Sequence, residues 1–216
     1  MLLAVALALQ TGGISPQPAG VRLHDVPLPP PAGAQLDSAA WGSPQLTIPT
    51  PSGRASVWLL RAADSVFVVA RVPDRTPSWA DGVSLCLDVS GDRAAAPAHD
   101  DFQLLLRRVL DSSVVYRGRD GRWHPPFDDP DWRVGSTHAG GGWEAAAASD
   151  AAGWSLVLRL DPAWFAGEGG RRPGIALIVH DNDPNSWSAW PSAPDAGPPQ
   201  TLDRFPAAWM PILPPS

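Results

Sequence analysis

From Val83 to Ser90 the chain alternates strictly. Val83, Leu85, Leu87 and Val89 fall on one side, and Ser84, Cys86, Asp88 and Ser90 on the other. A period of two is that of a β-strand with one face buried and the other wet or half-wet. The signal recurs along the chain. Ala55 to Arg61 and Val66 to Val72 are rich in β-branched and aromatic residues, and the short spacer Ala62 to Ser65 between them predicts a hairpin. Further strands are expected at Phe102 to Val109, Ser113 to Arg117, Gly174 to His180 (Ile175, Leu177 and Val179 inward) and around Ala208 to Leu213. A second hairpin pairs Trp143 to Ala147 with Trp154 to Leu160, where Trp154, Leu156, Leu158 and Leu160 share a face. Asp161 to Phe165 reads as one helical turn, with Asp as cap, Pro162 in first position and Gly167 as stop. Residues 118–142 and 181–205 read as long loops. This spacing predicts an all-β fold: an antiparallel β-sandwich of jelly-roll or immunoglobulin-like type with one short helical turn.

Composition agrees with that pattern. Among 216 residues there are 26 prolines and 20 glycines, which favour turns over long helices. Eleven tryptophans stand against one tyrosine, so indole rings carry nearly all the flat aromatic surface. All basic residues are arginine, which reads as a compositional bias. The net charge of −6, with no basic stretch, excludes the usual footprint of nucleic-acid binding. Cys86 is the single cysteine, so an intramolecular disulfide and a thiolate zinc site are both excluded.

Three segments follow. Residues 1–10 contain an apolar run, Leu2 to Leu9, that reads as the hydrophobic part of a secretory signal and is too short for a bilayer. Residues 11–35 read as a Pro/Gly-rich linker with one sticky piece, Val21 to Val26. The sandwich is expected over residues 36–213, and no later stretch is long and apolar enough for a membrane span.

Candidate chemistry lies in the loops. Trp79, Trp123, Trp132, Trp187 and Trp190 sit among Pro, Ser, Asp and Gly, where an indole can stand free and offer its face to the C–H groups of a sugar. The other reading of each is a ring that lids the sandwich. Trp41, Trp58, Trp143, Trp154, Trp164 and Trp209 are expected in the core. Asp88, Asp92, Asp100 and Asp101 form an oxygen-rich group suited to calcium, and Asp128, Asp129 and Asp131 form a second acidic turn. The five histidines lack metal-ligand spacing, and no nucleophile elbow, P-loop or zinc motif occurs.

An ordered series of short pieces resembles the carbohydrate-binding module family 9-like domain. The pieces are Leu36-Asp37…Trp41, Val57-Trp58-Leu59, Val66 to Asp74, Trp79…Asp81 to Asp88, Asp101-Phe102-Gln103, Gly153 to Leu160, and Pro173-Gly174-Ile175…His180-Asp181-Asn182-Asp183. The resemblance implies a secreted, non-catalytic β-sandwich that holds a poly- or oligosaccharide, with possible reducing-end selectivity, as an accessory to a partner glycoside hydrolase. It implies that Trp79 and Trp187 sandwich the sugar with Asp181, Asn182, Asp183 and Trp190 around it, and that calcium braces loops. Two positions depart from the family pattern: Ser84 stands where Glu is frequent, and Leu105 where Arg is frequent. Two other classes stay open, a sandwich of the cell envelope without sugar binding and a small glycosidase. Haem held by a Met–Lys or Met–His pair is hard to build, since lysine is absent and Met210 is the single internal methionine.

If the strands beginning at Val83 and ending at His180 run antiparallel, Trp79 and Trp187 lie at one end of the sandwich and flank one sugar-sized gap.

Overall fold

Fourteen strands among the described residues form two sheets that face each other across an apolar core. The structure is a computed structural model and describes residues 20–30, 41–110, 113–125, 142–193, 195 and 197–214. The signal-like segment, residues 36–40, Trp132 and the acidic turn at 128–131 lie outside the described residues.

The first hairpin is β4 (Gly53–Ala62) and β5 (Ser65–Pro73), closed by Ala63 and Asp64. The second is β10 (Trp143–Asp150) and β11 (Gly153–Leu160), whose register pairs Trp143 with Leu160. With β2 (His24–Asp25) and β3 (Leu46–Thr50) they make the smaller sheet, in the order β10-β11-β5-β4-β2 with β3 also on β4. The larger sheet runs β1-β14-β12-β6-β7-β8-β9. It contains β1 (Val21–Arg22), β6 (Gly82–Asp88), β7 (Asp101–Arg107), β8 (Val114–Arg119), β9 (Arg122–His124), β12 (Gly174–Asp181) and β14 (Met210–Leu213). β13 (Ser186–Trp190) pairs with β12 beside β14.

The alternating positions behave as the pattern requires. Val83, Leu85 and Leu87 of β6 and Ile175, Leu177 and Val179 of β12 meet Trp154, Leu156, Leu158 and Leu160 of β11 in the core between the sheets. The expected helical turn is a 3-10 turn, Pro162–Phe165, with the Asp161 carboxylate accepting from the Ala163 N–H at 2.8 Å.

Four expectations need correction. Residues 20–30, read as linker, are built into the sandwich. β1 joins the larger sheet and β2 the smaller, each in parallel, so the chain crosses between sheets at the buried Leu23. Val21, Leu23 and Val26 are buried, and that burial outweighs the extended bias of the surrounding prolines. These two pairings make the sheets mixed rather than wholly antiparallel. The loop expected over 181–205 contains β13 and a 3-10 turn, Pro199–Arg204. The 118–142 loop contains β9, which is only three residues long, and β3 was not expected at all, although Leu46 and Ile48 alternate with exposed Thr47 and Pro49 over its five residues.

β6 and β12 are buried on both faces. On the outer face Cys86, Ala176 and Ile178 lie under Leu202 and Trp209, delivered by the 199–209 segment. Trp209 donates its indole N–H to the Leu202 carbonyl at 2.9 Å and stacks parallel to Trp123 at 6.4 Å. The cover is pinned from the other side, because Arg93 donates to the Trp209 carbonyl and Ala207 N–H to the Ala94 carbonyl. Gly91, in the same loop, lets the chain pass close to the Arg172 backbone. At φ +72° a Cβ there would lie 2.3 Å from the Arg172 carbonyl oxygen.

Leu85, fully buried at the centre of this arrangement, is the position where packing is most directly measurable. Leu85→Ala is expected to lower unfolding free energy by about 2–5 kcal/mol in urea titration; a loss under about 1 kcal/mol would contradict the core assignment.

Candidate functional site

Trp79 stands at the start of β6 with 67% of its surface exposed, the most exposed aromatic ring among the described residues. Its turn is held rigidly. The Asp81 carboxylate, fully buried, accepts from Ser78 N–H at 2.5 Å through one oxygen and from Asn182 N–H at 3.0 Å through the other. A buried carboxylate is tolerated when its oxygens are hydrogen-bonded; here one bond closes the turn itself and the other ties it to the chain beyond β12. Asn182 also donates its side-chain amide to Ser78 Oγ at 3.2 Å, and Thr76 Oγ1 donates to the Asp183 carbonyl at 2.5 Å. The two loops are thereby clasped together, as the antiparallel pairing of β6 and β12 requires.

Asp74 and Asp181 are buried beside Asp81, and burial pushes both carboxyls above the usual carboxylate range. Asp74 accepts from Thr76 N–H at 2.8 Å, and Asp181 accepts from Asp183 N–H at 3.2 Å. Asp181 therefore braces the turn, while Asn182, Asp183 and Asn185 are exposed.

Across the outer face at this end, one row of paired residues runs Trp187 (β13), His180 (β12), Gly82 (β6), Arg107 (β7). His180 stacks on Trp187 with ring centres 3.9 Å apart and planes 14° from parallel. Arg107 lies over Gly82, where a Cβ would approach its Cδ to 3.3 Å. Its Nη1 donates to the Ala80 carbonyl and reaches His180 Nδ1 at 3.3 Å. The arginine is a donor, so Nδ1 is the acceptor and the imidazole proton sits on Nε2, where Asn185 Oδ1 accepts it at 3.2 Å. An unbroken series of contacts thus connects Trp187 through His180 and Arg107 to the Trp79 turn. His180 covers one face of Trp187, and the half-buried indole also packs against the outer-face cluster of Cys86, Ala176 and Ile178.

Trp190 departs from the expected site. It is 8% exposed and lies in the core opposite Leu177, because β13 alternates and the residue paired with an inward leucine must also face inward. Trp123 is half-buried against Trp209. His180 and Arg107 were missed in the sequence. What marks them is positional: Arg107 is the last residue of β7 and His180 the next to last of β12, both on the outer face.

At the opposite end of β6, Asp88 and Asp101 are register partners and fully buried. Asp88 accepts N–H bonds from Gly91 (2.7 Å), Asp92 (3.2 Å) and Arg93 (3.0 Å). Asp101 accepts from Ala98 N–H at 2.7 Å through Oδ2, while its Oδ1 and Asp100 Oδ2 are buried without a hydrogen-bond partner. Oxygens of Asp88, Asp92 and Asp100 come within 4.8 Å of one another, a spacing that suits ligands around one hard cation. Burial, then the neighbouring carboxylates, push Asp101 up to about 8 and raise Asp88.

No protein-family model and no curated protein matches this sequence. Solved structures do match. A family 9 carbohydrate-binding module from Caldicellulosiruptor kristjanssonii in complex with glucose superposes over 89% of this chain and 95% of its own, with TM-score 0.52 and 13% identity. The structure of such a module from the same organism in complex with cellotriose covers 90% and 94%, with TM-score 0.52 and 14% identity. The chain has the fold of a family 9 carbohydrate-binding module. Within that fold Ser84 and Leu105 are register partners on one outer-face row, Ile178-Ser84-Leu105-Val114, next to the row that carries His180 and Arg107. The two departures from the family pattern therefore fall side by side, and the row they share is uncharged.

The raised Asp101 has a consequence for stability. An unfolded aspartate titrates near about 3.9, so the folded domain keeps a proton that the unfolded chain releases. The stabilisation is complete below that pH and is lost as pH rises through about 8. In chelator-treated protein the melting temperature should fall between about pH 5 and 8.5, and Asp101→Asn should flatten that fall; an unchanged slope in the variant would refute the assignment.

Proposed function

We propose that this domain binds carbohydrate, stacking a pyranose on Trp79 with Trp187, Asn182 and Asp183 at its margin and Asp181 bracing the turn. The observation that carries the reading is a broadly exposed indole on a turn clasped by buried hydrogen bonds. An exposed tryptophan costs solvation unless a ligand covers it, and a rigid turn avoids the entropy of ordering a loop on binding. The likeness to modules holding glucose and cellotriose supports sugars of that kind. The work is binding rather than hydrolysis, since the Asp81 carboxylate beside Trp79 is spent on backbone amides. In a secreted context such a domain would keep a glycan near a partner glycoside hydrolase.

Calcium belongs to the same reading. Asp88, Asp92, Asp100 and Asp101 fit it as a donor set, since two buried oxygens lack partners and close carboxylates repel one another without a cation. Bound there, the ion would fix the 88–101 loop, whose Arg93 and Ala94 pin the cover of the outer face.

Two measurements follow. Titration of glucose and cellobiose with indole fluorescence should show saturable binding, weakened at least about tenfold in Trp79→Ala, or about 1.4 kcal/mol; equal binding by the variant would remove Trp79 from the site. Calcium at a hundredfold excess over its Kd should add about 2.7 kcal/mol, or about 5–10 °C in Tm, and Asp100→Asn should abolish the gain. A Tm indifferent to calcium would exclude the ion.

A further inference from the structure

The proposed sugar site needs polar groups that distinguish hydroxyls, because a flat ring alone selects weakly. The row formed by Ser84 and Leu105 has no charge to offer. The next row does. Arg107 is half-buried at the foot of the Trp79 turn, and its side chain crosses β6 over Gly82 rather than extending into solvent. Its one engaged nitrogen, Nη1, contacts the Ala80 carbonyl and His180. Nε and Nη2, which carry three N–H donors, have no hydrogen-bond partner among the described residues, and Arg107 makes no ion pair there. The guanidinium is also fixed in place. His180 is 8% exposed, clamped between Trp187 and Asn185, and turns its acceptor nitrogen to Nη1. Gly82 leaves room for this path, because a Cβ there would press on the Arg107 side chain at 3.3 Å and on the Leu106 carbonyl at 3.0 Å.

We propose that Arg107 is the hydroxyl-reading residue of the site, oriented by His180, and that it donates through its free nitrogens to neighbouring hydroxyl oxygens of a neutral sugar stacked on Trp79. The assignment rests on the carbohydrate-binding reading and adds its specificity. A planar fork of donors suits two adjacent oxygens, which vicinal hydroxyls and a carboxylate both supply. Asp81, Asp181 and Asp183 lie at the same end of the sheet and oppose an anionic ligand, so neutral hydroxyls are the favoured source. His180 acts through Arg107 and is a positioning residue.

The test uses the whole chain, titrated calorimetrically with glucose, galactose, mannose and xylose, then with the monodeoxy analogues of the tightest binder and with glucuronate. The wild type should lose about tenfold or more against at least one deoxy analogue. In Arg107→Met that discrimination should shrink to about twofold or less, with near-ultraviolet circular dichroism unchanged. Arg107→Lys keeps a donor for the Ala80 carbonyl but not the fork, so it should also lose discrimination; it serves if the methionine variant does not fold. A merely structural role would weaken sugar and analogue equally and leave their ratio intact, and that result would overturn the proposal while carbohydrate binding stands. Glucuronate tighter than glucose in the wild type would overturn the neutral-ligand assignment. Failure to bind any of the sugars would overturn both this inference and the reading beneath it.

Discussion

Two-sided burial of β6 and β12 is the constraint on which the rest of the structure depends. A sheet whose central strands are apolar on one face and small or semi-polar on the other must be covered twice. The smaller sheet covers the inner face with Leu156, Leu158 and Leu160. The outer face, bearing Cys86, Ala176 and Ile178, is covered by Leu202 and Trp209 from the 199–209 segment. A chain with one core would have needed only the first.

The cover does not reach everything on the outer face, and where it stops the polar chemistry begins. At the start of β6 the small Gly82 leaves a groove that Arg107 fills on its way to His180, and Trp79 stands out beyond it. At the far end of β6, Asp88 and Asp101 face each other, and the side-chain oxygens that are hydrogen-bonded among the described residues accept from backbone N–H groups. The same two strands therefore hold a tryptophan turn at one end and an acidic loop at the other. The loop also anchors the cover through Arg93 and Ala94, which joins the acidic end mechanically to the middle of the sheet.

Buried carboxylates serve two purposes here. Asp81 is satisfied by backbone N–H groups and works as a clasp between loops distant in sequence. Asp101 is satisfied through only one of its oxygens, and burial leaves it protonated well above the usual carboxylate range. Both residues are almost wholly removed from solvent, and they differ in the donors supplied to their oxygens.

The alternation of apolar and polar residues determined the long strands, both hairpins and the inward faces of β6, β11 and β12, and the Asp-Pro pair at 161–162 determined the capped turn. Those features rest on neighbours within about ten residues, so local order contains them. It also placed Trp79 correctly in an open turn, because Asp81-Gly82 ends the turn and starts the strand. Pairing between distant segments decided the rest. Trp190 goes inside because β13 pairs with β12 in the register that sets it opposite Leu177, and β13 has no periodic signal of its own. Val21 and Leu23 become core only when β4 and β14 offer them edges. Arg107 and His180, 73 residues apart, meet across Gly82, which stands between them in register and has no side chain. Sequence spacing carries the period of a strand; which strands lie side by side, and in what register, is a property of the folded sheet.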